Sequence, residues 1–219
     1  MLHQRIREQI LCICQSMLRD HLAYGSQGNV SVLDPRSKHV IITPSAIPYS
    51  RMTISDLCVI KLDGTIVESK WKPTSEVALH LTLYKYRKDV LSVVHTHPPY
   101  ATVFSVIYRS IPIILTEAAT CLGGEVQVAP YYRPGTQGVA DSAVHTIGTS
   151  SAVLLGNHGL VAVGESLDRA YETTLAAETS ARITIMAESM NSKVVTLNNA
   201  EAAELRKIYL ANYKAKKIE

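Results

Sequence analysis

The amino-acid sequence predicts an α/β protein of three layers, in which a central mixed or antiparallel sheet carries helices on both faces. The chain has 219 residues, of which 47% are hydrophobic and 19% charged, enough for one large buried core. Helical and extended segments alternate along it, as in α/β folds. Two hairpins interrupt that alternation, which disfavours a doubly wound parallel sheet. We expect a single domain over residues 1–219, because no linker or internal repeat divides the chain.

The first half of the chain is predicted to form two helices and several short strands. Ile10 and Met17 belong to an apolar set at close to helical spacing, which indicates an amphipathic first helix. Asp63 and Gly64 suit the positive φ angles of a type I′ hairpin turn. Thr74 offers a hydroxyl N-cap for the second helix. The expected segments are helices over 3–22 and from about 74 to 87, strands ending near 32, 44 and 97, and a hairpin over 57–69.

The second half is predicted to contain four helices and a pair of apolar strands. Pro98 and Pro99 open a helix, because proline is favoured at the first helical position. Ser166 is the expected N-cap of a long helix. Residues 111–130 are predicted to mix short strand and loop. The remaining expected segments are helices over 98–108, 135–148, 166–190 and 199–217, and two strands around the turn GNHG within 151–164.

Charge, cysteine content and hydropathy exclude several classes of protein. The formal net charge is +3, from 22 basic and 19 acidic residues, so we expect no nucleic-acid partner. The lysines of residues 212–219 are interpreted as a short solvated tail. The N-terminus lacks a secretory apolar region, and no window reaches ~18 apolar residues, so we expect no membrane span and a cytoplasmic location. The cysteines form no CxxC pair and are expected to be reduced: Cys12, Cys14, Cys58 and Cys121.

Three histidines are the candidate metal ligands. His95 and His97 lie one residue apart at the end of an apolar run, and alternate residues of a strand point to the same face. Such a pair suits zinc, whose bonds to imidazole are ~2.0–2.1 Å long. Alternatively, both are polar residues that close a strand before Pro98. His158, in a glycine-flanked turn between two apolar strands, is either a third ligand or a turn histidine bonded to the backbone.

Glu76 is the candidate acid–base residue. It lies near the start of a predicted helix, where the helix dipole stabilises a carboxylate, so a purely structural role is available. The functional alternative is a general base beside a metal ion. Glu76 and His80 also stand at i and i+4 on one helix, a spacing found in metal sites, although no HExxH pattern accompanies it.

A phosphate site is the second interpretation of the same helix start. The free amides of a helix N-terminus, together with the Thr74 and Ser75 hydroxyls, suit a phosphate group. Two loops offer similar groups, with Asn29 in one and Thr43 and Ser45 in the other. Taken singly, these are also ordinary turn residues, and none belongs to a GxGxxG or P-loop motif.

Five ordered motifs resemble the class II aldolase/adducin family, and most closely its L-fuculose-1-phosphate aldolase type. They are GNVSV, ITPSAIPY, KPTSEVALH, VVHTHPPYA and LLGNHGLVA. The resemblance runs from about Gly25 to the long helix after Ser166. It implies one Zn²⁺ per subunit, or another divalent cation in its place, held by His95, His97 and His158, with Glu76 as a fourth ligand and then as the base. It also implies a phosphate pocket formed by Asn29, Thr43, Ser45, Thr74 and Ser75, and a homotetramer with sites at subunit interfaces.

The sequence departs from the aldolase pattern at three positions. Ala46 stands where these aldolases usually have glycine, and Gln27 replaces a small residue. Glu117 stands where the fuculose-type enzymes carry a catalytic tyrosine, and it resembles the acid/base of methylthioribulose-1-phosphate dehydratases. A structural carboxylate is the alternative interpretation of Glu117. Tyr209 or Tyr213 is the candidate for the terminal-helix tyrosine that contributes in the aldolases.

The resemblance therefore implies a zinc-dependent aldolase that cleaves a ketose 1-phosphate, such as L-fuculose 1-phosphate, to dihydroxyacetone phosphate and an aldehyde. Glu76 acts as base in this reaction, which passes through a metal-stabilised enediolate. The same scaffold also serves sugar-phosphate dehydratases, sugar-acid phosphate decarboxylases and ribulose-5-phosphate 4-epimerases, and Glu117 bears on that choice. A non-catalytic, adducin-like interaction module is the remaining alternative.

Overall fold

The computed structural model describes the backbone of residues 1–215 and the side chains of residues 1–212. The helices are α1 Gln4–Arg19, α2 Val77–Tyr86, α3 Pro99–Val106, α4 Thr116–Leu122, α5 Gln137–Ile147, α6 Leu167–Ser189 and α7 Asn199–Ala215. The strands are β1 Asn29–Leu33, β2 His39–Ile42, β3 Cys58–Lys61, β4 Ile66–Glu68, β5 Ser92–Thr96, β6 Val128–Ala129, β7 Ala152–Leu155 and β8 Gly159–Gly164. Within this described range, no helix is both long and apolar enough to cross a membrane.

The strands form one sheet in the order β4-β3-β2-β1-β5-β8-β7-β6. Neighbouring strands are antiparallel except β6 and β7, which are parallel. In antiparallel neighbours, one strand begins at the edge where the next one ends. The start of β1, the ends of β2 and β5 and the start of β8 therefore share one edge, where Asn29 pairs with His95 and Thr96 pairs with Leu160.

Helices cover both faces of the sheet. On one face α2 and α5 bury a core that includes Leu79, Val93 and Val161. On the other face α1 and α6 bury a core around Met17 and Val94, while α3, α4 and α7 pack beside α6. Each such buried aliphatic side chain contributes about 1.5–3 kcal/mol relative to exposure. The predicted three-layer α/β fold with a mixed sheet is confirmed.

Two local predictions are wrong although the elements around them are present. The β3–β4 hairpin turns through three residues rather than two, because Lys61 N–H bonds Thr65 O at 2.8 Å. Only Gly64 of the Asp63–Gly64 pair has a positive φ, of 90°, so the turn is not type I′. The second helix begins at Val77 with Glu76 as its N-cap residue, three residues after the predicted start, although the Thr74 hydroxyl accepts a hydrogen bond from Glu76 N–H at 3.3 Å in the turn before it.

The region 111–130 holds a helix where strand and loop were predicted. The helix α4 ends at Gly123, whose φ of 76° is the left-handed conformation that terminates helices. Ala118, Ala119 and Leu122 are buried where α4 packs on α6 and α7. The helix is short and weakly periodic, so its formation depends on these tertiary contacts. Strand structure in this region is limited to β6 and a single bridge between Ile111 and Val126.

Candidate metal centre and acid–base site

Three histidine rings converge at the shared edge of the sheet. The ring centroids of His95, His97 and His158 are 4.8–4.9 Å apart in all three pairs, with interplanar angles of 64–70°. The ligand atoms of the three side chains lie within 4.8 Å of one another. The Nε2 atoms of His95 and His97 are 3.0 Å apart. Two tetrahedral zinc ligands are about 3.3 Å apart, so this spacing suits one shared ion.

Backbone contacts hold two of these rings in place. His95 Nδ1–H donates to Leu160 O across the β5–β8 pair, at 2.9 Å, which leaves Nε2 facing the other imidazoles. Gly159 follows the His158 turn, and a Cβ at this position would lie 2.5 Å from Thr96 O and 2.7 Å from the His97 ring. Only glycine lets the turn approach His97 so closely.

The Glu76 carboxylate completes the cluster. Its Oε2 lies 3.2 Å from His95 Nε2 and accepts a hydrogen bond from Asn29 Nδ2 at 2.9 Å. Its Oε1 lies 3.7 Å from His158 Nε2 and has no hydrogen-bond partner, although it is buried. A buried carboxylate oxygen without a partner, facing converging imidazole nitrogens, fits a divalent metal ion of the zinc type.

The electrostatics of the cluster favour the metal-binding forms of Glu76, His97 and His158. Burial alone would raise the pKa of the Glu76 carboxyl, but the charge and hydrogen bond of His95, with smaller effects of His158 and Asn29, hold that pKa well below its usual range. Burial, together with the positive charge of His95, lowers the pKa of His97 to about 3 and that of His158 to about 4. Glu76, His97 and His158 therefore bind a metal ion without first losing protons. Burial opposes the charged form of His95, but the charge and hydrogen bond of Glu76 raise its pKa, so this ring releases its proton when a metal ion binds.

The structure brings the segments of the predicted phosphate pocket together, but it exposes only some of their hydroxyls. A bridge between Pro44 and Pro73 aligns the two segments, and Thr74 N–H bonds Thr43 O at 3.1 Å. The hydroxyls of Ser45 and Ser75 belong to exposed residues. Thr43, Thr74 and Asn29 are buried, and all three accept or donate hydrogen bonds within the protein. Of the predicted pocket residues, only the two serines are therefore exposed.

Ala46 occupies a conformation that explains why glycine is usual there. Its φ is 61°, in the left-handed region that costs a non-glycine residue about 1–2 kcal/mol. Ala46 immediately follows Ser45 in the loop after β2, so the strain lies beside the predicted phosphate pocket.

We expect Ala46→Gly to stabilise the protein slightly. Relief of the φ strain exceeds the extra entropy of a glycine in the unfolded chain, about 0.4–1 kcal/mol, so the free energy of unfolding rises by about 0.5–1 kcal/mol. The melting temperature, measured by calorimetry, rises by about 1–4 °C. Ala143→Gly in the buried part of α5 is the control and lowers the melting temperature. Equal losses in both variants would contradict the strain at Ala46.

The other predicted catalytic residues do not belong to the cluster of three imidazoles. Glu117 is exposed in the first turn of α4, and its carboxylate accepts a hydrogen bond from the Thr116 hydroxyl at 3.1 Å. Tyr209 packs on Arg169, which follows the far end of β8, about 20 Å along the strand from His158. Tyr209 is therefore remote from the metal cluster of its own chain. The side chain of Tyr213 lies outside the described residues.

Some site residues were not recognised from their motifs. His80, considered as a metal-site residue, is not in the imidazole cluster but binds Asn29 and Ser31 inside the protein. The Ser31 hydroxyl is in turn hydrogen-bonded to the Tyr84 hydroxyl, and both residues are buried. Spacing did contain a signal, because Ser31 is two residues after Asn29 on a strand, and Tyr84 is four after His80 on a helix.

A sheet edge that gathers three imidazoles and a buried carboxylate is typical of metal-dependent enzymes. The chain belongs to the class II aldolase and adducin family, since the model of the Class II Aldolase and Adducin N-terminal domain matches residues 8–185. The resemblance found in the sequence is thereby confirmed.

Individual relatives agree with this assignment. The 5-deoxy-D-ribulose 1-phosphate aldolase of Bacillus thuringiensis serovar kurstaki is 34% identical over 190 residues, which cover 87% of this chain and 89% of that protein. The L-fuculose phosphate aldolase of Escherichia coli strain K12 is 32% identical over 199 residues, covering 91% of each. The structure of an L-fuculose 1-phosphate aldolase superposes with a TM-score of 0.90 at 29% identity, covering 94% of this chain and 96% of that one.

Proposed function

We propose that this protein is a zinc-dependent aldolase that cleaves a ketose 1-phosphate to dihydroxyacetone phosphate and an aldehyde. The observation that carries the proposal is the convergence of His95, His97 and His158 on the ionised Glu76 carboxylate. Both aldolase relatives act, by their names, on phosphorylated ketoses, which supports a substrate such as L-fuculose 1-phosphate or a related deoxyketose. The complete set of imidazoles and carboxylate disfavours a non-catalytic, adducin-like module.

The proposed mechanism assigns proton transfer to the protein. The three histidines and Glu76 would hold zinc, which supplies Lewis acidity toward the carbonyl and hydroxyl oxygens of the substrate. The bond between C3 and C4 breaks, the C4 hydroxyl loses its proton, and the electron pair remains on the donor fragment as an enediolate. Glu76, which is ionised at rest, takes up a proton from solvent and delivers it to C3, which releases dihydroxyacetone phosphate; in the synthetic direction it removes that proton.

The phosphate is proposed to bind between the two loops that carry Ser45 and Ser75. Their exposed hydroxyls lie on the two segments joined by the Pro44–Pro73 bridge, next to the N-terminus of α2. These segments are held in place by the buried hydrogen bonds of Asn29, Thr43 and Thr74. Fixing the phosphate there limits the positions that the reacting carbons can take relative to Glu76.

Glu117 supports a second candidate function. The C4 hydroxyl proton needs an acceptor, and Glu117 is our candidate for that group in place of a tyrosine. A carboxylate there also suits a sugar-phosphate dehydratase, in which it acts as the acid/base, and the decarboxylase and 4-epimerase chemistries use the same scaffold. Because Glu117 lies on the surface of this chain, it would act at a site shared with a second subunit.

A substrate screen with Glu117→Gln is expected to separate these functions. The zinc-loaded wild type should release dihydroxyacetone phosphate from a ketose 1-phosphate, measured by a coupled assay. An aldolase keeps part of its turnover in the variant, because Glu76 is intact and solvent can accept the C4 hydroxyl proton in place of Glu117, whereas a dehydratase loses about 10²–10⁴-fold. Glu125→Gln is the matched control for an exposed carboxylate. Water loss without carbon–carbon cleavage would contradict the aldolase proposal.

A homotetramer with sites at subunit interfaces is part of the proposal, as is a cytoplasmic location. Exposed apolar side chains at the end of α3 and after β6 support association: Val103, Val106, Ile107, Tyr108, Tyr131 and Tyr132. This surface lies beside the metal cluster, since Asn157 N–H bonds Ser105 O and Tyr131 N–H bonds the Tyr108 hydroxyl. Light scattering of the purified protein measures the number of subunits directly.

A further inference from the structure

A buried chain of polar side chains leads from Glu76 into the layer between α2 and the sheet. Asn29 Nδ2–H donates to Glu76 at 2.9 Å, and Asn29 Oδ1 lies 2.5 Å from His80 Nε2. His80 Nδ1 lies 2.6 Å from the Ser31 hydroxyl, which lies 2.6 Å from the Tyr84 hydroxyl. All five residues are buried. The proposed base is therefore connected to the protein interior by an unbroken series of hydrogen bonds.

The positions of the hydrogens in this series of hydrogen bonds follow from the Glu76 carboxylate at one end. The ionised Glu76 carboxylate accepts, so the Asn29 amide presents N–H to it and its carbonyl oxygen to His80. His80 must then carry its hydrogen on Nε2, and its Nδ1 accepts from the Ser31 hydroxyl. Burial, reinforced by the positive charge of His95, lowers the pKa of His80 to about 3. At neutral pH the ring is thus neutral, with one donor and one acceptor.

The sequence spacing builds this chain across the helix–sheet interface. Asn29 and Ser31 are two residues apart on β1 and point to the same face of the sheet as His95, with which Asn29 is paired. Glu76, His80 and Tyr84 follow at intervals of four residues and share one face of α2 and its N-cap. The spacing of two residues on β1 and of four residues on α2 therefore places the donors of one element opposite the acceptors of the other.

We infer that His80 is a positioning residue that orients Glu76 through Asn29. The Nε2–H of His80 engages the Asn29 carbonyl, so the amide can present only its N–H to the carboxylate. Oε2 of Glu76 is thereby held by Asn29, while Oε1 is left free to face the metal cluster. This inference rests on the proposed role of Glu76 as the base, and it extends that role to a residue without contact to substrate or metal.

The alternative is a purely structural role for His80, in which the series of hydrogen bonds only joins α2 to the sheet. Both roles predict lower stability when His80 is replaced. They differ in whether the donor on Nε2 matters, because packing depends on ring volume, whereas orientation depends on the donor. His80→Phe keeps much of the volume and removes the donor, whereas His80→Gln offers an amide N–H at a similar reach.

The first test is nitrogen-15 NMR of the metal-free, full-length protein, which needs neither substrate nor activity. We expect one protonated and one unprotonated ring nitrogen on His80, with the hydrogen on Nε2, and an Asn29 amide proton protected from exchange with solvent. Ser31→Ala removes the donor to Nδ1 and should reduce both signatures. Ser92→Ala is the control, since Ser92 is equally buried on the neighbouring strand and its hydroxyl has no partner. Hydrogen on Nδ1 of His80 would overturn the inference.

The second test compares variants of the zinc-loaded protein by exchange of the carbon-bound protons of dihydroxyacetone phosphate in deuterated water. We expect His80→Phe to lower the exchange rate by about tenfold or more at unchanged metal content and with little change in KM, and His80→Gln to retain most of it. Equal rates for wild type and His80→Phe would overturn the inference. If the wild type catalyses no exchange, the proposed function fails instead, and the NMR signatures decide the positioning of Asn29 alone.

Discussion

Replacing His95 with alanine is expected to abolish both tight metal binding and turnover. The variant loses the imidazole that lies 3.0 Å from His97 Nε2 and 3.2 Å from the Glu76 carboxylate. Two imidazoles and one carboxylate remain. The ring that is lost is the one held rigid by its hydrogen bond to Leu160 O. Because a bound metal ion supplies several kcal/mol of transition-state stabilisation, kcat/KM should fall by about 1,000-fold or more.

The measurement is the metal content of the purified protein by mass spectrometry, followed by turnover with added zinc. His145→Ala is the matched control, because His145 is an exposed histidine on α5, outside the imidazole cluster. Circular dichroism and thermal melting separate loss of metal from loss of fold. A His95→Ala variant that keeps both metal and activity would rule out this cluster as the catalytic centre.

The convergence of the three histidines could be predicted because these residues lie where regular structure begins or ends. His95 and His97 close a strand whose period of two places both rings together, and the glycines around His158 mark a tight turn. Nothing local to either segment shows that the two meet. The ordered family motifs supplied that pairing, and antiparallel β5 and β8 achieve it by bringing the end of one strand beside the start of the other.

What could not be predicted depends on contacts that are distant in sequence. The helix α4 has no strong period of its own and forms by packing Ala119 and Leu122 against α6 and α7. The start of α2 was placed too early because the Thr74 hydroxyl does accept from Glu76 N–H, but in a turn that becomes α-helix only at Val77.

The series of hydrogen bonds that joins Asn29, His80, Ser31 and Tyr84 could be predicted only in part. Each half has a regular spacing, but only the packing of α2 on β1 shows that Asn29 and His80 face each other. A histidine four residues after a glutamate was therefore considered as a metal-site residue, although its partner is an amide. Location rather than burial separates the two roles, since His80 and His95 are equally buried. His80 bonds Asn29 and Ser31 between α2 and β1, whereas the three clustered histidines meet at the sheet edge.

Replacing Glu76 with glutamine is expected to remove proton transfer while leaving the metal in place. The substitution keeps the size of the side chain and an oxygen that can accept from Asn29 Nδ2–H. It removes the ionised group whose pKa is held low by His95, so no base remains to take a carbon-bound proton. General acid–base catalysis contributes about 10²–10⁴-fold, and kcat should fall by that factor with a small change in KM.

Metal content, kcat, KM and deuterium exchange into dihydroxyacetone phosphate measure this prediction together. The three imidazoles still converge in Glu76→Gln, so the metal content should stay close to that of the wild type. Glu178→Gln is the comparison for a partly buried glutamate that bonds the backbone at the start of α3 instead of the cluster, and it should exchange normally. If Glu76→Gln exchanged protons at the wild-type rate, Glu76 would be only a ligand or a structural carboxylate. Loss of metal together with exchange would instead make its ligand role the dominant one, because a neutral amide binds zinc far less well than a carboxylate.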